Sequence, residues 1–85
     1  MQGVLMQRYR RTEVVEAMQY DGTNAEAIGE WLGQRTSAMA DGGYMTIWLS
    51  RIMHVDRGEW VVKAPGGTIM RWERDFERDW EQCTV

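Results

Sequence analysis

Residues 59–72 read EWVVKA, then PGG, then TIMRW. Two short runs rich in β-branched and aromatic residues flank three turn-forming residues, a pattern typical of an antiparallel hairpin. Side chains alternate along a strand, so adjacent strands place Trp60 and Trp72 on one face and Arg71 on the other. The hairpin also accounts for the glycines of the turn, which lacks the lysine of a phosphate-binding loop.

A second strand and a helix are predicted upstream of this hairpin. Residues 12–20 are β-branched at their centre, and apolar residues occur on both faces, so we expect a strand that is covered on both sides along part of its length. An Asp-Gly turn follows, and helical spacing of apolar residues then predicts a helix over residues 24–32. Thr23 and Glu26 match a capping box, and Gly33 supplies the C-terminal stop.

The remaining segments complete a strand meander and a second helix. Residues 34–43 read as a loop, and residues 44–49 alternate as a strand. Residues 51–55 either continue that strand after a bulge or form a separate one. Residues 74–80 predict a helix that places two aromatic side chains at i and i+4, and residues 82–85 form an extended tail that can pair with the first strand.

These elements predict one α+β domain, a small antiparallel-rich sheet of four or five strands packed by two short helices on one face. A chain of 85 residues is too short for a second core. We expect residues 1–8 to be a flexible lead-in and residues 9–85 to form the single domain.

Composition argues against several classes of function. The net charge is −3, with acidic and basic residues intermixed, which argues against a general nucleic-acid binder. No apolar stretch approaches the ~20 residues needed to cross a bilayer. Cys83 is the only cysteine, so neither an internal disulfide nor a cysteine zinc site is available. We expect a cytosolic protein without a metal ion or cofactor.

Several short motifs resemble a family of phage and prophage accessory proteins. The chain has Arg8-Tyr9-Arg10, then VEAMQY at residues 15–20 and a Gly-Thr-Asn helix start at residues 22–24. GEWVV follows at residues 58–62, and the acidic Asp-Phe-Glu segment at residues 75–77 lies near the end. This resemblance, which spans nearly the whole chain, implies an accessory protein made in the cytoplasm of an infected bacterium.

Five tryptophans are a surplus for so small a domain, and tryptophan is enriched at binding surfaces. Trp48, Trp60 and Trp72, together with Arg51 and Arg71, are therefore the main candidate contact residues. Aromatic faces beside arginine suit a protein interface or a stacked nucleotide whose phosphates are held by the guanidinium groups. The alternative is that these tryptophans pack beneath the helices as core residues.

Two ionisable residues, Glu16 and His54, are further candidate functional residues. Glu16 shares a strand face with apolar residues, so it either forms an ion pair within the sheet or serves as a polar group in a pocket. His54 is the only histidine. Ser50 is four residues away on an extended chain, about 13 Å, so these two residues cannot form a direct catalytic relay.

The sequence therefore favours a phage-encoded, non-enzymatic binding protein that acts in the host cytoplasm. Its partner is either a host protein or a small signalling nucleotide of an antiviral pathway, and we expect it to be a homo-oligomer. A structural or assembly component of the virion is one alternative. A small hydrolase that uses Glu16 or His54 is another.

Overall fold

The computed structural model describes residues 6–10 and 14–82, which form eight strands and two short helices. The strands are β1 (Gln7–Arg10), β2 (Val14–Gln19), β3 (Arg35–Ala38), β4 (Tyr44–Trp48), β5 (Ile52–Asp56), β6 (Trp60–Lys63), β7 (Ile69–Trp72) and β8 (Glu81–Gln82), and the helices are α1 (Ala25–Leu32) and α2 (Phe76–Asp79).

The strands form two antiparallel sheets where we predicted one. The larger sheet has the order β7-β6-β2-β1-β8, and the smaller has the order β3-β4-β5. The predicted combination of antiparallel strands with two short helices is confirmed, but the predicted single sheet is wrong. Strand β2 pairs with β1 on one edge and β6 on the other, so β4 cannot pair with β2 and instead pairs with β3 and β5.

Both ends of the chain contribute to the larger sheet. Gln7 and Arg8, which we assigned to a flexible lead-in, lie in β1 and pair with Ala17 and Glu16 of β2. Strand β8 pairs with β1 through Gln82 opposite Tyr9. We had expected the tail to pair with the strand of residues 12–20, but β8 pairs with β1 instead, because β1 and β6 occupy both edges of β2. Residues 83–85, and Cys83 with them, lie outside the described residues, as do residues 1–5 and 11–13.

Strand β2 is buried on both faces, as predicted. Val15 and Ala17 point to one side, whereas Met18 and the following Tyr20 point to the other, and all four are buried. The Met18 side packs against α1 and the inner face of the smaller sheet, and the Val15 side packs against α2. The two helices therefore lie on opposite faces of the larger sheet, where we had expected them on one.

Helix α1 begins and ends close to the predicted positions, but the predicted capping box is not formed. Asn24 occupies the N-cap position without a side-chain cap hydrogen bond. Its side chain instead donates to the Gln19 carbonyl (2.9 Å), and the Thr23 hydroxyl donates to the Asp21 carboxylate (2.7 Å). These bonds tie the helix start to the end of β2. Gly33 ends the helix in the left-handed conformation (φ 69°), as predicted.

Strand β3 was missed by the sequence analysis, which placed residues 35–38 in a loop. Arg35, Ser37 and Ala38 are exposed, so this strand has no apolar alternation that would indicate it. Its register is fixed by pairing with β4. Residues 51–55 were predicted either to continue β4 after a bulge or to form a separate strand. The structure shows a separate strand, β5, which pairs with β4.

Four aromatic rings form a second core between the larger sheet and α2, so the expectation that a chain of 85 residues is too short for a second core is wrong. Phe76 is fully buried and lies 4.9 Å from the Trp60 ring, 6.0 Å from Trp72 and 5.4 Å from Trp80, measured between ring centroids. The predicted contact between Phe76 and Trp80 is therefore confirmed. The helix itself is only one turn long, and Trp80 has an extended backbone at its end.

Phe76 is expected to be the largest single contributor to this aromatic core. Phe76→Ala should lower the free energy of unfolding by about 3–5 kcal/mol, and Phe76→Leu by a smaller amount, because both leave a cavity among the tryptophans. Val14→Ala, at an exposed position, is the control and should change the stability by no more than ~0.5 kcal/mol. Urea unfolding followed by tryptophan fluorescence measures all three. Equal losses for Phe76→Leu and Val14→Ala would contradict this account.

Tyr20 is expected to cause a loss of stability at alkaline pH. Burial raises the pKa of its hydroxyl, an effect larger than the opposing influence of the nearby Arg57 guanidinium. The buried hydroxyl has no hydrogen-bond partner among the described residues. Because the folded-state pKa exceeds the unfolded value of about 10, this contribution to stability is full below pH ~10 and is lost as the pH rises through the folded-state pKa.

Tyr20→Phe should therefore flatten the decline in unfolding free energy above pH ~10. At neutral pH the variant should be unchanged or up to ~1 kcal/mol more stable, because a buried hydroxyl without a partner is unfavourable. Urea midpoints of both proteins at neutral and alkaline pH provide the measurement. A variant that is clearly less stable at neutral pH would mean that the hydroxyl has a favourable partner.

Candidate functional site

The solvent-facing side of the smaller sheet carries a strip of exposed large side chains. Strand alternation sends Met45 and Ile47 into the core and Tyr44 and Trp48 outward. Ile52 of β5 lies directly opposite Trp48. The exposed fractions are 36% for Tyr44, 37% for Trp48 and 55% for Ile52. We call this strip, together with Arg35 and His54, the outer face.

Arg35 holds Trp48 in position on the outer face. The two residues are register partners on β3 and β4. The Arg35 guanidinium carbon lies 4.6 Å from the Trp48 ring centroid, which is a cation–π contact. The contact restricts the indole before any partner arrives, so less side-chain entropy is lost when the ring is buried at an interface.

The middle of the outer face is ordered by a second set of contacts. The His54 ring meets the Tyr44 ring edge-on at 5.3 Å between centroids. The hydroxyl oxygen of Thr46, a buried residue, lies 3.1 Å from His54 Nδ1. When the hydroxyl donates to Nδ1, the imidazole proton lies on Nε2, where it can be donated to a ligand.

A cleft of about 630 Å³ adjoins the outer face between β5 and β7. Its apolar lining comes from Leu49, Met53 and Ile69, and its polar lining includes Arg51 and Arg71. Ile52 and His54 also line it, so the cleft is continuous with the outer face. We call it the arginine cleft. No carboxylate lines it, although the chain as a whole carries a net charge of −3.

The two arginines of the cleft differ in their internal contacts. Arg71 Nη1 donates to the His54 carbonyl at 3.3 Å, which joins the edge of the larger sheet to the edge of the smaller one. A guanidinium has five N–H donors, so this bond leaves most of them available. Arg51 is exposed, and its side chain has no hydrogen-bond or ion-pair partner in residues 6–10 and 14–82.

The structure separates the predicted tryptophan–arginine group into two places. Arg51 and Arg71 meet in the arginine cleft, with Trp48 on the neighbouring outer face. Trp60 and Trp72 are register partners on the opposite side of the β6–β7 hairpin from Arg71, as the alternation predicted. There they pack in the aromatic core. Trp60 is only 4% exposed and Trp72 is half-buried, so the core interpretation describes both of them.

Glu16 forms the ion pair that one of the two interpretations predicted. Its carboxylate lies 3.7 Å from Arg8 Nη2 and accepts a hydrogen bond from Trp31 Nε1 at 3.2 Å. Arg8 and Lys63 are its register partners on the two neighbouring strands. The side chains of Arg8 and Glu16 remain 40% and 32% exposed, so the pair is partly solvated.

Three contributors to this region, Arg35, Tyr44 and Ile52, were not identified from the sequence. A fourth, His54, was expected to be a packed or surface strand residue. Arg35 belongs to the strand that was missed. The other three become neighbours only through the β4–β5 register, which no local motif specifies. The only signal in the sequence that these three side chains are exposed is their alternation with apolar residues along each strand.

Comparisons of the chain with protein-family models, with curated proteins and with solved structures gave no match, so the resemblance to phage accessory proteins stays a prediction. In the two described ranges, no helix is long and apolar enough to cross a bilayer. The same residues include no cluster of three or more His, Cys, Asp or Glu side chains that could hold a metal ion.

The partial exposure of the Arg8–Glu16 pair predicts a small contribution to stability. Glu16→Gln keeps an oxygen for the Trp31 N–H but removes the attraction to Arg8, and should lower the free energy of unfolding by no more than ~1 kcal/mol. The loss should shrink at high salt because exposed charges are screened. Urea unfolding at two salt concentrations measures this. Arg8→Gln in the Glu16→Gln background is the control, and a single-variant loss above ~3 kcal/mol would indicate a dry, buried pair instead.

Proposed function

We propose that this chain is a non-catalytic binding protein, encoded by a phage, that engages a host protein through the outer face. The observation that carries the proposal is the exposure of Trp48 and Ile52 as direct cross-strand neighbours on a sheet face that no described segment covers. Contiguous apolar side chains of this size on a small domain mark contact surfaces.

The composition of the outer face resembles that of interface centres. Tryptophan, tyrosine and arginine are the residue types that most often dominate binding energy. Trp48, Tyr44 and Arg35 are all present, and Ile52 extends the apolar area. Trp48 is also the most exposed of the five tryptophans, since two are buried and two are half-buried. Trp48 is therefore the proposed anchor.

The shape of the outer face favours a protein partner over a stacked nucleotide. The strip follows three paired strands, and the Arg35 guanidinium already lies over the Trp48 ring. The arginines suited to phosphate, Arg51 and Arg71, lie in the neighbouring cleft, which no tryptophan lines. An indole and a phosphate-binding guanidinium therefore do not face one another across one pocket.

Trp48→Ala should weaken binding of the host protein by at least ~2 kcal/mol, which corresponds to about thirtyfold in Kd. Ile52→Ser should have a smaller effect, and Val14→Ser, an exposed apolar position in the larger sheet, should have none. Quantitative proteomics of host lysate would compare proteins retained by wild type and Val14→Ser but lost with Trp48→Ala. Calorimetry with the purified host protein then gives the Kd values.

Two results would overturn the proposal. In the first, a folded Trp48→Ala variant retains every lysate protein that the wild type retains. In the second, light scattering shows an oligomer that Trp48→Ala converts to a monomer. A second copy of the chain would then occupy the outer face, in line with the homo-oligomer that the sequence led us to expect.

A further inference from the structure

We infer that the arginine cleft is a binding site for a phosphate monoester carried on a small apolar or aromatic group, of the size of a mononucleotide. This site adjoins the outer face and shares Ile52 and His54 with it, but its charged residues, Arg51 and Arg71, do not belong to the outer face, so variants of these arginines test it apart from the proposed protein-binding function. Either proposal can therefore fail without the other.

The charges of the cleft point to an anion. Arg51, Arg71 and His54 line one concave surface, and no carboxylate-bearing residue lines it. Elsewhere the chain tends to place arginine beside an acceptor. Arg8 pairs with Glu16, Arg78 pairs with Asp75, and Arg57 and Arg74 donate to backbone carbonyls. Arg51 lacks such a partner within the described ranges, so its charge is available to a ligand.

The donor geometry suits a tetrahedral oxyanion. Guanidinium groups present planar pairs of N–H donors that match two oxygens of a phosphate, and such charge-assisted bonds are stronger than neutral ones. Arg71 is held in place through its bond to the His54 carbonyl, which positions the remaining donors before a ligand enters. The His54 Nε2 proton adds a third donor when Nδ1 accepts from Thr46.

The size and lining of the cleft indicate what the phosphate is attached to. A volume of about 630 Å³ lies within the range of small-molecule sites, roughly 300–1,000 Å³, and exceeds what a bare phosphate needs. The apolar side chains of Leu49, Met53 and Ile69 line the same cleft beside the arginines. They offer an apolar surface for an aromatic base while the arginines hold the phosphate.

Titration of ¹⁵N-labelled protein with four probes tests this site: adenosine 5′-monophosphate, ribose 5-phosphate, inorganic phosphate and adenosine. We expect shifts centred on residues 49–54 and 69–71, with the monophosphate binding most tightly and adenosine showing no binding. Ribose 5-phosphate tests whether the base contributes. If adenosine shifts the same residues with the affinity of its monophosphate, or if none of the phosphates shifts them, the inference is overturned.

Charge-removing variants then test the residues. Arg51→Gln and Arg71→Gln should each weaken adenosine 5′-monophosphate binding by about tenfold, the loss of one charge-assisted contact. Arg78→Gln removes the same charge from an exposed position on α2 and should leave the affinity unchanged. Arg51 has no structural partner in the described ranges, so its variant stays informative even if Arg71→Gln perturbs the fold. Equal weakening by Arg78→Gln would show nonspecific attraction and overturn the site, as would selective binding of an acidic peptide with no response to phosphates.

Discussion

Strand β2 is the element around which the other parts of the fold are arranged. Both of its edges are hydrogen-bonded, to β1 and to β6, and side chains on both of its faces are buried along most of its length. Its two faces are covered by different elements of the chain. Helix α1 and the smaller sheet cover one side, and α2 with its aromatic ring cluster covers the other. Residues 6–10 and 14–82 therefore build two small cores around one strand.

Elements that are stabilised by local interactions could be predicted from the sequence, whereas elements that depend on pairing with distant strands could not. The hairpin of residues 59–72 and the helix of residues 24–32 carry their own turn and periodicity signals, and both were predicted. The strand at residues 35–38 was not, because it is polar and exposed and depends on β4 for its hydrogen bonds. Helix α2 is shorter than predicted. Phe76 and Trp80 stack on each other although only one helical turn lies between them, so their spacing in the sequence did not fix the length of the helix.

The candidate sites show the same division between local and long-range information. An excess of tryptophan is visible in the sequence, and it led to Trp48, but it could not distinguish that exposed ring from Trp60, which is buried. Arg51 and Arg71 were selected for their charge, yet their meeting in one cleft depends on two sheets whose separation was not foreseen. One face of the smaller sheet packs in the core. Side chains on its other face contribute little to the stability of the fold, so they can vary to suit a binding partner.

The bond from Arg71 to the His54 carbonyl has a consequence for the behaviour of the protein at high concentration. Strand β5 is one of the two edges of the smaller sheet, and its backbone groups are a template on which a strand from another molecule can add. The Arg71 side chain occupies one of the acceptors that such a strand would use. It also places a positive charge at that edge. The same guanidinium that joins the two sheets within one molecule thus deters the growth of continuous β-structure between molecules.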